Sequence, residues 1–363
     1  MYDGCTVAVV VPAYDEGDTV ADVLASMPSY VDRVYAIDDD STDDTWAEIC
    51  RVAAGTDETM RPTNEDNASE STATDGTTAT GASDDDRTWA SAADDDREER
   101  SQAVESIADG GTAPPDVVPI RHEENQGAGG ALKTGYRRAM DDGMDVTVTM
   151  DADGQMDPAD MADLVEPVAA GRAGYAKGNR LAKAEYREEM PTFRFVGNWL
   201  LSILTKIASG HWNVMDSQNG YTAISGDALA AIDLTAVGDD HQYTNDVLVQ
   251  LNVEGVRVED VPMPAEYGDE NSTISLTGFV PQTSFALLEG FCYRLKERHV
   301  ARDFHPLSMF YGLGVLTVLT GVVTKLHGDD DDGSLLVAIQ GVAFLLFGMV
   351  LDRRENEHGG DDA

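Results

Sequence analysis

Asp151 and Asp153, in the segment Asp151-Ala-Asp-Gly-Gln-Met-Asp-Pro158, are one residue apart and are the side chains of this sequence best suited to chemistry. Carboxylates are hard oxygen donors. A pair at the end of a strand can hold Mg²⁺ or Mn²⁺ against a diphosphate, with Gln155 as a further oxygen ligand or the partner of one. An acidic chain also makes Asp-x-Asp by chance, as at Asp38 to Asp40. The residues alone therefore fit a metal site and a helix-capping turn equally well. A second cluster, Asp38-Asp-Asp-Ser-Thr-Asp43, could accept hydrogen bonds from a base and a ribose through Asp39 while Ser41 and Asp43 cap the next helix; capping alone is the alternative. Asn125-Gln-Gly-Ala-Gly-Gly-Ala-Leu-Lys133 resembles a phosphate-cradling glycine loop but fits neither the Walker nor the dinucleotide pattern.

These clusters need elements to position them. Residues 6–12 form a continuous β-branched run suited to a buried parallel strand, followed by an amphipathic helix over Asp18 to Met27 and a second strand over Val31 to Ile37. A helix from Trp46 to about Ala53 completes a βαβα opening. From about Ala54 to Pro115 the pattern gives way to Asp, Glu, Thr, Ser, Ala and Gly, which predicts an acidic, disordered insertion over 54–115. Order resumes with a strand at Val117 to Ile120, a helix from about Gly127 to Asp141 and a strand at Asp145 to Met150. The fold class is α/β, a doubly wound and mostly parallel sheet that gathers ligands at the carboxyl ends of its strands.

Composition narrows the function. With 25 Lys+Arg against 67 Asp+Glu the formal charge is -42, which repels nucleic acid over most of the surface and excludes it as a partner. Scarce lysine and dispersed acid suggest solvation in concentrated salt and a halophilic host. Cys5, Cys50 and Cys292 show no metal-ligand spacing and are expected to be reduced thiols. The first residues lack a basic region followed by an apolar run, so no cleaved signal peptide is expected.

Two late runs, Leu307 to Leu326 and Ser334 to Leu351, lack acidic residues and are long enough for a hydrocarbon core of roughly 30 Å. They predict a transmembrane hairpin; a buried helical hairpin of a soluble protein is the alternative. Arg294, Lys296, Arg298 and Arg302 precede it, Arg353 and Arg354 follow it, and the intervening loop is acidic. Both ends are therefore expected in the cytoplasm. Thr192 to Ser209 is apolar and aromatic but carries Arg194 and Lys206, which suits an interfacial or core helix better than a spanning one.

Val-Val-Val-Pro-Ala-Tyr-Asp-Glu at 9–16, Asp-Asp-Asp-Ser-Thr-Asp at 38–43, Asn-Gln-Gly-Ala-Gly-Gly-Ala at 125–131 and Asp-Ala-Asp-Gly-Gln at 151–155 together resemble family 2 glycosyltransferases of the GT-A fold. The nearest branch looks like the dolichyl-phosphate mannose and glucose synthases. The resemblance covers residues 6 to about 275 apart from the insertion. It implies that Pro12, Tyr14 and Glu16 line a nucleotide pocket, that Asp39 holds the base or ribose, and that Asp151, Asp153 and Gln155 serve the metal and diphosphate. Asp15 stands where Asn is usual. Asp40 stands where Gly is usual, and a side chain there is expected to reshape the turn.

Asp216-Ser-Gln-Asn-Gly-Tyr221 resembles the segment that closes over the acceptor, and Tyr243-Thr-Asn-Asp246 makes Asp246 the candidate acid or base on the acceptor side. A helix-start carboxylate is the alternative for Asp246. Gly268 to Ser275 resembles a lysine-bearing loop of polyprenyl-phosphate transferases but carries acidic and polar residues instead. Arg137, Arg138, Lys177, Arg180 and Arg194 remain as partners for an acceptor phosphate.

The expected protein has a catalytic domain over 1–53 and 116–280, an interfacial basic helix over 281–306, a transmembrane hairpin over 307–351 and a cytoplasmic tail over 352–363. Its expected reaction is inverting transfer of a hexose from a nucleotide-sugar to dolichyl or another polyprenyl phosphate at a membrane, with Asp153 and Asp246 as catalytic residues. Two rivals are a transferase that extends a glycan on a hydroxyl, which needs a base at Asp246, and a non-catalytic binding module.

Overall fold

The strands are β1 (Val7–Ala13), β2 (Arg33–Asp38), β3 (Asp116–Arg121), β4 (Val146–Thr149), β5 (Tyr175–Asn179), β6 (Thr222–Ser225) and β7 (Val258–Pro262). In the computed structural model, which describes residues 1–55, 115–183, 192–240, 242–264, 276–302, 305–327 and 332–358, they form one sheet in the order β3-β2-β1-β4-β6-β5-β7. β3, β2, β1 and β4 run parallel, as does β5 with β7, whereas β6 is antiparallel to both its neighbours. The expected mostly parallel sheet is present, with a reversed strand in the half that the βα pattern did not reach.

β1 lies inside the sheet, so both of its faces are covered and its residues alternate between two cores. Val7, Val9 and Val11 pack with α1 (Val20–Ala25), α2 (Thr45–Ala53) and the helix at Met161–Ala169. Ala8 and Val10 face α3 (Ala128–Asp141) together with helices at Gly226–Ala231 and Tyr243–Val253. α3 sits so close that a Cβ on Gly135 would lie 2.3 Å from Val10 Cγ1. In chain order the helices at 161–169, 226–231 and 243–253 are α4, α6 and α7; between the first two comes α5 (Thr192–Ser209). The expected insertion lies outside the described residues, between the end of α2 and edge strand β3.

α8 (Leu276–Lys296) runs into a wide helical turn at Glu297–Arg302, and then come α9 (Pro306–Leu326) and α10 (Asp332–His358). α9 and the Gly333–Asn356 part of α10 are long and apolar enough to cross a membrane, and their windows are only 22% and 17% buried. Leu316, Leu319, Leu335, Leu336 and Ile339 face outward, an exposed apolar surface consistent with a membrane environment. The two helices touch nearly backbone to backbone: a Cβ on Gly341 would lie 2.6 Å from Val318 N, and one on Gly321 would lie 2.7 Å from Ala338 N. Small residues let helices approach this closely where lipid supplies no hydrophobic drive.

The basic stretch before the hairpin makes specific pairings. Arg294 is fully buried against Asp352, Arg298 Nη1 reaches Asn252 Oδ1 at 2.7 Å, and Arg302 pairs with Glu254 at 2.6 Å. Arg294 and Arg298 thus turn into the protein, whereas Arg302 makes its pair at the surface and Lys296 is exposed.

Candidate active site

Met150 N donates to Val10 O at 3.1 Å, so β4 ends beside β1 and Asp151 emerges at the carboxyl edge of the sheet. Gly154, with φ of 74°, turns the chain back, and Asp153 Oδ1 accepts from Gln155 N at 2.9 Å. The next short helical turn is capped by a different residue, Asp157, whose Oδ1 accepts from Ala159 N at 2.8 Å. Asp151 and Asp153 are therefore not needed as its caps. Both line a cavity of about 90 Å³ together with Gln155, Asp157, Asp160 and Arg180.

Burial and the neighbouring Asp153 push Asp151 up to about 7, and Glu16 pushes in the same direction. Two carboxylates this close disfavour sharing negative charge. A divalent cation would remove that penalty, and two carboxylates with an amide oxygen form a donor set suited to Mg²⁺ or Mn²⁺. Across the cavity Gly220 is required by space: a Cβ there would lie 3.1 Å from Asp151 Oδ2 and 3.3 Å from Tyr243 Oη.

Among the described residues that line the cavity, Arg180 is the one cation. It leaves β5 two residues after Gly178, and fully buried Asp216 holds it through Nε–Oδ2 at 2.7 Å and Nη2–Oδ1 at 3.2 Å. This two-point pairing fixes the plane of the guanidinium while leaving it at the cavity wall. The other candidates lie elsewhere. Lys177 is buried with Nζ donating to Asn219 O, and burial lowers it to about 8; Arg137 and Arg138 are exposed on α3. The side chain of Arg194 and the Gly268 to Ser275 loop lie outside the described residues.

The description of glycosyl transferase family 2 matches residues 92–232. A UDP-N-acetylglucosamine–dolichyl-phosphate N-acetylglucosaminyltransferase of Methanococcus voltae is 32% identical over 45% of this chain and 66% of its own length. An uncharacterised protein of Methanocaldococcus jannaschii is 31% identical over 45% of the chain and 68% of its own length. The chain belongs to glycosyl transferase family 2. An undecaprenyl-phosphate mannosyltransferase of Micrococcus luteus is 32% identical over 41% of the chain and 60% of that protein. The matched region thus spans no more than about two thirds of these relatives.

In this family 2 chain Pro12 is near the end of β1 and Tyr14 is 49% exposed just beyond it. Thr19 Oγ1 joins the loop to the aspartate motif, donating to Ala152 O at 2.8 Å and lying 3.1 Å from Glu16 Oε2. The same loop is pinned to the second acidic cluster: Asp15 N donates to Ser41 Oγ at 3.0 Å, Thr42 N to Asp15 Oδ1 at 2.7 Å and Gly17 N to Asp43 Oδ2 at 2.9 Å. Asp15 in the place of Asn therefore serves as an acceptor. Asp40 adopts φ of 63°, in the left-handed region. Aspartate tolerates this conformation better than most residues.

Two assigned residues are engaged by protein partners. Asp39 is 3% exposed; its oxygens accept from Gln126 N at 2.9 Å and Gly127 N at 2.8 Å, and its Oδ1 lies 2.6 Å from His122 Nδ1. It organises the glycine-rich segment. Asp246 is not among the cavity-lining residues; its Oδ2 accepts from Gly238 N at 3.0 Å, and burial raises its pKa. It anchors the 237–240 loop, against which Gly129 packs so tightly that a Cβ would lie 2.3 Å from Gly238 O.

The sequence reading also missed the Arg180–Asp216 pair. Asn179-Arg180 directly after a strand was the available signal, but its partner lies 36 residues on. Asp260, whose Oδ1 accepts from Met215 N at 3.2 Å and which also accepts from Asn179, gave no signal at all.

Proposed function

We propose that this chain is a membrane-anchored, metal-dependent inverting glycosyltransferase that moves a hexose from a nucleotide-sugar of the UDP-glucose or GDP-mannose class to dolichyl or another polyprenyl phosphate. The catalytic domain works at the cytoplasmic face, and the product serves protein N-glycosylation. The observation that carries this reading is the gathering of Asp151, Asp153, Gln155 and Arg180 around one cavity in a chain that also has two membrane-length apolar helices. The names of the relatives from Methanococcus voltae and Micrococcus luteus support the lipid phosphate acceptor and differ in the sugar.

Asp151, Asp153 and Gln155 would hold the divalent cation, which when bound offsets charge on the departing nucleoside diphosphate. Pro12, Tyr14 and Glu16 flank the nucleotide, with the exposed Tyr14 ring offering a face to the base. Asp39 supports that pocket indirectly by fixing the glycine-rich segment. Arg180 draws the acceptor phosphate into a cavity that its acidic lining would otherwise close to an anion. The phosphate oxygen then attacks the anomeric carbon from the face opposite the leaving diphosphate. A phosphate monoester with a second pKa of about 6 is mostly ionised at neutrality and requires no strong base. The position of Asp246 outside the cavity accordingly favours a phosphate acceptor over the hydroxyl of a growing glycan.

The test is transfer of radiolabelled sugar from a panel of UDP- and GDP-sugars into organic-extractable lipid, in high salt with Mg²⁺ or Mn²⁺ and added polyprenyl phosphate. Acid-labile lipid label from wild type alone, and not from Asp153→Ala, is the expected result. No lipid label from any donor, with folded protein, would overturn the proposal, and label in a glycan polymer would select the rival reaction.

A further inference from the structure

Arg294 is the largest fully buried side chain among the described residues, and it joins three bodies. Its Nη1 and Nη2 donate to Asp352 Oδ1 and Oδ2 at 2.9 and 2.8 Å, at the end of α10. Its Nε donates to Ala208 O at 2.9 Å and Nη2 to Ile207 O at 3.1 Å, the last carbonyls of α5. Helix-terminal carbonyls lack intrahelical partners, so the guanidinium caps α5 as well as pairing with α10. Gly210 leaves it room: a Cβ there would lie 2.6 Å from Nη1.

α5 in turn reaches the cavity. Thr205 Oγ1 donates to Asn245 Oδ1 at 2.9 Å, and the same oxygen accepts from Gln218 Nε2 at 3.3 Å. Ser217 N donates to Ser202 Oγ at 3.4 Å. Gln218 lines the cavity, and Asp216 beside it orients Arg180. A second strut runs in parallel, from Asn356 of α10 through Asn252 Nδ2 at 2.8 Å to the end of α7, whose other end carries Asn245. His299, His305 and Glu355 lie together at the same junction. His305 Nδ1 accepts from Leu307 N, and the charges of Arg294 and Arg298 act on His299, so this cluster is part of the ion-pair junction.

We infer that Arg294 is a positioning residue for the transfer reaction: through α5 it fixes the 216–218 side of the cavity relative to the hairpin, and so to the phosphate of a membrane-borne acceptor. This rests on the proposed lipid-phosphate reading. Arg294 touches no reacting atom. Its five donors in a planar fork serve one carboxylate and two carbonyls at once, which the single ammonium of lysine cannot reproduce.

The test uses full-length protein in nanodiscs and the double variant Arg294→Met/Asp352→Leu, which removes both charges and leaves neither buried unpaired. Metal-dependent binding of the nucleoside diphosphate should stay at the wild-type level. Transfer to polyprenyl phosphate should fall by about a hundredfold, the loss that a displacement of about 1 Å can cause. Arg294→Lys should recover only part of the rate. Backbone hydrogen exchange at 205–219 should quicken in the double variant, a readout independent of any transfer activity. Wild-type exchange there would overturn the inference, as would wild-type transfer or a parallel loss of nucleotide binding. Quickened exchange in a protein whose wild type transfers no sugar to lipid would instead reject the functional reading alone.

Discussion

The cavity at the end of β4 and the junction at the end of α10 are both built from carboxylates and arginine, yet they balance charge in opposite ways. At the junction Asp352 is fully buried with both oxygens bonded to one guanidinium, and Arg294 spends its remaining donors on carbonyls. At the cavity Asp151, Asp153, Asp157 and Asp160 share the wall with Arg180, the one cation among the described lining residues, and that arginine also pairs with Asp216. One centre is a matched pair packed shut. The other arrays four half-buried carboxylates around an open space. In a chain of net charge -42, acidic content says little by itself. The arrangement of the acid, closed on a partner or facing a cavity, is what separates the two.

The sharpest test of this contrast is removal of an acid from each centre. Asp153→Ala should lower sugar transfer by about a thousandfold, judged from the effect of deleting one electrostatic stabiliser of a transition state, while the melting temperature stays level or rises as Asp151 loses a like-charged neighbour. Asp352→Asn should act on stability first, and on transfer only through the loss of positioning. It strands a buried guanidinium at a cost of about 3–5 kcal/mol, read by chemical denaturation in detergent, and leaves nucleotide affinity in the surviving folded fraction intact. A melted Asp153→Ala and an undisturbed Asp352→Asn would break the comparison.

An intermediate effect concerns Asp260, which burial holds up at about 6. A carboxyl whose folded-state pKa is raised stabilises the protonated fold below its unfolded value near 4. That contribution is lost as pH rises through about 6. The melting temperature of wild type should therefore decline from pH 4 to pH 6 more steeply than that of Asp260→Asn, and parallel curves would show that Asp260 is not under this strain. The smallest effect is expected at Asp40, where φ of 63° burdens a residue with a Cβ. Asp40→Gly should gain up to about 1 kcal/mol, since relief of left-handed strain is partly offset by the entropy of glycine. A loss on substitution would mean that the carboxylate does more than occupy the turn.

The half of the fold containing β1 to β4 was legible because β1, β2 and β4 are buried on both faces and its strands read as apolar runs separated by amphipathic helices. β6 was not: Thr222–Ser225 is four residues long, and its antiparallel pairings depend on partners distant in sequence. The carboxylates of the cavity were legible because Asp151, Asp153 and Gln155 are neighbours in the chain. The partners that decide what a polar residue does were not. Asp39 meets His122 and Gly127 more than 80 residues later, Arg180 meets Asp216, and Arg294 meets Asp352. Local spacing reveals a cluster of like residues; it does not reveal which of them are already satisfied.

The acidic segment joining α2 to β3 enters at the sheet's edge strand, where only β2 is a neighbour. Extra chain at such a place breaks no ladder, and lengthening a connection from about five to about sixty residues adds only roughly 2 kcal/mol of closure entropy. This seam is therefore where the protein can be rewritten without disturbing its chemistry. A lineage can tune the segment's length and composition to its surroundings, and an engineer can splice a reporter or affinity module there, while the carboxylates three strand positions away keep their places.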